Sequence, residues 1–375
     1  MNNISHKENR IWFLQLCRAI ACLLIVFIHW ISFFKNPNAL LVSLNLPNFT
    51  NYPDITQLTE ILYYSEYYFP SSYRETYFGI GLFFLISGFV IPFSMEKVSP
   101  FEFLFRRVMR IYPAVLVCVL MAAVLLFCAE FISSTNTDVT LQRIIGNILL
   151  SAEQLHVRFI EYGLWTLEIE IRFYFLCFLF AFFSGQKRAL ALILAPAVSS
   201  IAFGSIYAAY ISFMLVGTCL FNWHKENWSG KKTLFLIAIL MIINRDYLIQ
   251  YYSLSIDSAG VIYANHIYCL LFFVILLLLN HKLPYSKVMD KVANISYSLY
   301  LIHGTASYAI YYWSYTMTNN IVYSVIAALS WIIFASLFVH RYIEKPSIQI
   351  SKKIILWVKE KQTLYKSSQS EVLPF

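Results

Sequence analysis

The chain has 375 residues, 59% hydrophobic, 18% aromatic and only 13% charged, with a mean hydropathy of +0.63. No soluble core absorbs that much apolar surface, so the composition excludes a soluble domain and indicates a polytopic membrane protein. The net charge of +8 would suggest a nucleic-acid partner in a soluble chain. Here the basic residues flank apolar segments, as the positive-inside rule describes, and no nucleic acid is implied.

The opening MNNISHKENR lacks a signal-peptide cleavage pattern, so the first span, 11–34, is expected to remain in place. It contains RAIACLLIVFIHW, with Arg18 and His29 eleven residues apart. That is close to three helical turns, which puts both on one face about 16 Å apart, half of a ~30 Å hydrocarbon core. An arginine inside a membrane helix costs ~2.5–3.5 kcal/mol and usually faces a bundle interior or a wet cavity. A histidine satisfied by a neighbouring helix is the plainer alternative.

A long connection to residue 77 includes the amphipathic candidate QLTEILYYSEYYF, and the second span is FGIGLFFLISGFVIPFSM. Its Ser87 and Gly88 most simply allow close helix approach. The following FLFRRVMRIYP is expected to set Arg106, Arg107 and Arg110 on one helical face. Arginine forks suit phosphates, and the same cluster also suits an ordinary orientation anchor. The third span runs from near Pro113 to near Phe131, and IIGNILLSAEQLHV is too short to cross, so it is read as re-entrant or interfacial.

The fourth span begins near Leu164 with WTLEIEIRFYFLCFLFAFF. Glu168 and Arg172 are spaced to pair, and Glu170 points roughly opposite. Glu170 is thus a candidate to orient or charge-stabilise a histidine base, the alternative being a structural carboxylate. Spans at 190–203, 206–221, LFLIAILMII, 261–279, 295–313 and 321–339 complete a count of about ten. His303, near the middle of the ninth, is a packing residue, a proton partner or part of an acceptor path.

The expected fold is therefore an all-α integral membrane protein with both termini cytoplasmic. In that orientation only Lys35, Arg74, Arg143, Arg158 and Arg245 lie outside, and the remaining extramembrane lysines and arginines lie inside. Residues 1–346 form the transmembrane domain, and 347–375 form a basic amphipathic tail whose SKKIILWVKEK lies on the cytoplasmic membrane surface. The seven cysteines show no paired or metal-type spacing, so neither a disulfide nor a metal site is expected. A proton-coupled carrier or glycan flippase would also use an arginine, histidine and carboxylate pathway, and would commonly show inverted repeats and broken helices. No repeat is visible.

Six stretches in order carry a family resemblance: Arg18 to His29, FGIGLFFLISGF, Arg106 to Pro113 (RRVMRIYP), WTLEIE, SYSLYLIH, and Arg341 to Pro346 (RYIEKP). Across about 14–346 the chain resembles the acyltransferase-3 family of integral membrane O-acyltransferases, particularly its exopolysaccharide-modifying members. The resemblance implies transfer of an acyl group, usually acetyl from acetyl-CoA, to a carbohydrate hydroxyl of exopolysaccharide, lipopolysaccharide O-antigen or a lipid-linked glycan. It implies His29 as base or acyl relay, Arg18 helping to hold donor or charge, and Glu170 in support. Arg106, Arg107 and Arg110 become donor-site candidates, and His303, Ser87 and Trp165 candidates for the substrate path. Succinyl or another short acyl group stays open as the donor. Two positions depart from the pattern, Gln15 and Gly81, where the family often has acidic residues. The resemblance also implies a bacterial inner membrane, and transfer by this domain alone or with a separate partner for glycan assembly.

Overall fold

The computed structural model describes residues 11–35, 37–43, 49, 73–96, 98–133, 137–183 and 185–370, with helices and no strand among them. The opening decapeptide and QLTEILYYSEYYF lie outside the described residues. In chain order the helices are α1 (Trp12–Lys35), α2 (Pro37–Ser43), α3 (Tyr73–Met95), α4 (Pro100–Ser133), α5 (Leu141–Ile148), α6 (Leu164–Phe180) and α7 (Gly185–Phe203). They continue as α8 (Ser205–His224), α9 (Gly230–Tyr251), α10 (Ile256–Leu278), α11 (Lys287–Ile302), α12 (Thr305–Thr318), α13 (Ile321–Val339) and α14 (Lys345–Ser370).

Among the described residues seven helical stretches are long and apolar enough to cross a bilayer: Trp12–Phe34, Thr76–Met95, Pro100–Phe131, Ser205–His224, Gly230–Tyr251, Asp257–Leu278 and Ile321–Leu364. The other three expected spans are helical and shorter. α6 has 17 residues, about 26 Å at the helical rise. The apolar part of α7 is Leu194–Phe203. The ninth expected span is divided into α11 and α12.

α3 is the hub, packed on α1, α8 and α10. Its contact with α8 is a backbone crossing. A Cβ added to Gly88 would overlap the Met214 carbonyl, and one added to Gly217 would overlap the Leu85 carbonyl. Thr218 Oγ1 then donates to the Gly88 carbonyl at 3.0 Å. Small residues allow this approach where lipid supplies no hydrophobic drive for association. α1 lies between α3 and α11, which turns its Arg18 and His29 inward.

Residues 137–163 form a folded connection around two buried polar side chains. Arg143 donates to the carbonyls of Thr137, Asp138, Arg158 and Phe159. Asn147 donates to the Arg143 and Arg158 carbonyls and accepts from the Ile160 amide. Apart from the Arg143 carbonyl, which belongs to α5, these bonds satisfy backbone groups that have no helix or sheet to pair with. They also fix where residues 160–163 meet the bundle.

Two helices extend beyond a bilayer's length. α4 has 34 residues, about 51 Å, and continues through Pro113 without a break. α13 passes through a π-helical turn, His340–Glu344, directly into α14. The expected boundary after residue 346 therefore falls inside continuous helix. α14 packs along α4, burying Ser347, Ser351 and Ile355, and Lys359 Nζ reaches Glu102 at 2.8 Å.

Candidate active site

The α1 histidine meets the break in the ninth expected span. His29 Nδ1 lies 2.8 Å from His303 Nε2, and the two rings stack with centroids 5.0 Å apart. His303 Nδ1 lies 2.6 Å from the Tyr300 carbonyl oxygen. A carbonyl only accepts, so His303 carries its proton on Nδ1. In the neutral pair His303 Nε2 accepts from His29 Nδ1–H, which leaves the lone pair of His29 on Nε2. That chain fixes one tautomer and leaves one basic nitrogen, the arrangement a general base needs. The Tyr162 ring packs edge-on against His29, centroids 5.1 Å apart.

Toward the Arg18 end of α1 lies a cavity of about 110 Å³, bordered by Arg18, Ser87, Arg107, Arg110, Glu170 and Tyr300 among others. Arg18 donates to Ser296 Oγ over a long 3.4 Å. Arg107 donates to Ser94 Oγ and its guanidinium stacks over Phe103 and Tyr174. The Arg110 guanidinium reaches the cavity with no side-chain hydrogen bond among the described residues. Glu170 accepts from Ser87 Oγ at 2.9 Å and from Tyr174 Oη, and it interacts electrostatically with all three arginines. Glu344, on the π-helical turn, accepts from Ser298 and His340 at 2.9 and 2.8 Å and interacts with Arg18 and Arg110. Three guanidinium groups against two carboxylates leave a positive surplus, with one fork free to grip an anion.

Tyr300 borders both regions. Its Oη bonds Thr166 Oγ1 at 2.8 Å and the Gly163 carbonyl at 3.2 Å, its ring lines the cavity, and its carbonyl holds His303. Neither His29 nor His303 lines the cavity.

The expected site residues thus divide. Arg18, Ser87, Arg107, Arg110 and Glu170 share the cavity, and His29 and His303 share the pair. Glu170 bonds Ser87 and Tyr174, and the group that meets His29 Nδ1 is the imidazole of His303. Arg106 leaves the cluster: it is exposed and paired with Glu102 at 2.5 Å. Consecutive residues project about 100° apart on a helix, so Arg106 and Arg107 face different surroundings. Trp165 packs on Tyr210, centroids 5.6 Å apart, and borders neither region. Glu168 pairs with Arg172 at 3.7 Å, as spacing predicts. Tyr300 and Glu344 escape sequence reasoning because their placement depends on a backbone carbonyl and a π turn.

A model of the Acyl_transf_3 family, described as an acyltransferase domain, matches residues 11–340. The chain belongs to the acyltransferase-3 family. Its chemistry is acyl transfer, and it is an integral membrane protein. Comparison with curated proteins and with solved structures finds no match. The family match spans both the histidine pair and the arginine cavity. It also decides how the broken helix at His303 is read, a feature that carriers share: here it presents a side chain within an acyltransferase domain.

Proposed function

We propose that the protein transfers acetyl from acetyl-CoA to a hydroxyl of a surface or exported glycan, such as exopolysaccharide or O-antigen, in the bacterial inner membrane. The observation that carries this reading is the Tyr300 carbonyl, His303, His29 chain, which leaves a single basic nitrogen at His29 Nε2. His29 Nε2 takes the proton of the acceptor hydroxyl as the oxygen bonds to the acyl carbon. The carbon–sulfur bond then breaks, and His29 returns the proton to the departing sulfur. His303 accepts from Nδ1–H throughout and steadies the imidazolium formed between these steps.

The arginine cavity supports a donor whose anionic end lies far from its reactive carbon. Arg18 and His29 are separated by about 16 Å of helix, and a coenzyme A thioester carries its phosphates and its acyl group at opposite ends of a long flexible arm. Arg18, Arg107 and Arg110 would hold the phosphates, with the free fork of Arg110 as the grip. In this reading the Arg18 end faces the cytosol and the His29 end the exported acceptor, in keeping with the lysine and arginine asymmetry.

Mass spectrometry of surface glycans tests the proposal in matched cells with no protein, with the intact protein, or with His29→Ala. The expected result is a gain of one acetyl unit with the intact protein only, lost on mild base treatment. Loss of a general base costs about 10²–10⁴ in rate, so the variant should fall to background at normal membrane level. Unchanged acetylation by His29→Ala would sink the assignment.

A further inference from the structure

Glu161 belongs to neither the cavity nor the histidine pair, yet it is 2% exposed in the connection between α5 and α6. Each carboxylate oxygen accepts a backbone N–H: Oε2 from Thr305 at 2.9 Å and Oε1 from Ala306 at 3.1 Å. These are the first two residues of α12, whose amides have no partner within their own helix. No ion pair involves Glu161 among the described residues, so its counter-charge is the positive end of α12. Gly304 makes the seat: a Cβ there would lie 2.9 Å from Oε2.

This grip falls at the break that presents His303. The His303 amide closes α11 on the Leu299 carbonyl at 3.2 Å, and its own carbonyl accepts from Ser307 Oγ on α12 at 2.6 Å. The two residues after Glu161 also reach the site, Tyr162 on the His29 ring and Gly163 on the Tyr300 hydroxyl. Burying a carboxylate is costly unless its oxygens are satisfied, and here both are spent on the peptide groups that follow His303.

We propose that Glu161 is a positioning residue, whose carboxylate holds the start of α12 so that His303 Nε2 stays in hydrogen-bonding reach of His29 Nδ1. The proposal rests on the reading of His29 as the base. Glu161 touches neither reactant and acts through the ring that orients the base.

The test uses the full chain in lipid nanodiscs above about pH 8, where the Glu161 carboxyl is ionised. Acetyl transfer is measured against donor concentration for wild type, Glu161→Gln, Gly304→Ala, His303→Ala and the Glu161→Gln/His303→Ala double variant. Ring ¹⁵N spectra, assigned with His29→Asn and His303→Asn, report the tautomers separately from turnover. The expected result is a loss of about tenfold in kcat for Glu161→Gln and Gly304→Ala with donor KM within about twofold, and less than about twofold further loss on the His303→Ala background. The Nδ1–H signal of His303 should lose its single-tautomer character in Glu161→Gln. Full additivity with His303→Ala, or a wild-type tautomer spectrum, overturns the proposal. So does failure of both single variants to accumulate folded, which makes Glu161 a fold-wide structural residue. Normal transfer by His29→Ala would instead overturn the base assignment, and the His303 spectrum would still decide the role of Glu161.

Discussion

At the scale of residues, one position of helical phase separates function from surface. Arg107 and Arg110 border the cavity, whereas Arg106 is exposed and held by Glu102. Hydrogen bonds to charged groups contribute about 1.5–3 kcal/mol, so Arg110→Ala should raise donor KM roughly 10- to 100-fold, with Arg107→Ala in the same direction and Arg106→Ala near wild type. Steady-state kinetics across the three variants checks the order; equal effects would remove the cavity from donor binding. Glu161 supplies a pH signature. Burial pushes its carboxyl up to about 8 against the pull of its backbone hydrogen bonds. The folded chain therefore holds this proton more tightly than the unfolded chain, and its contribution to stability falls as pH rises from about 4.3 toward 8. Glu161→Gln removes that slope, which thermal unfolding at several pH values will reveal as a flatter profile than wild type.

At the scale of elements, the sequence is informative wherever the period or composition of a single helix decides the outcome. The shared face of Arg18 and His29, the Glu168–Arg172 pair and the close approach at Gly88 all follow from local spacing. The break after Ile302 does not. SYSLYLIHGTASYAIYYW reads as one apolar run, because the carboxylate that accepts from the first amides of α12 comes from Glu161, more than a hundred residues earlier. The course of α14 is similarly hidden, since its partner α4 is remote in sequence. The α3–α8 crossing yields a direct test. Gly88→Ala or Gly217→Ala places a methyl against backbone, and overpacking of this kind costs typically 1–3 kcal/mol. Thermal unfolding in detergent should show both variants destabilised, whereas Gly260→Ala, with nothing near its Cβ position, should unfold as wild type does.

At the scale of the whole molecule, two polar regions sit at different depths of one bundle, joined by α1 and both bordered by Tyr300. Thr166 and Gly163 pin the Tyr300 hydroxyl, its ring lies 5.5 Å from that of His303, centroid to centroid, and the residue also lines the arginine cavity. On the proposed reading, with donor and acceptor at opposite ends of α1, such an enzyme must not short-circuit the membrane it spans. Sealed vesicles containing the protein should therefore retain an imposed proton gradient, and Tyr300→Ala, which removes the side chain shared by the cavity and the histidine pair, should let that gradient decay; a fluorescent pH dye inside the vesicles would record the leak.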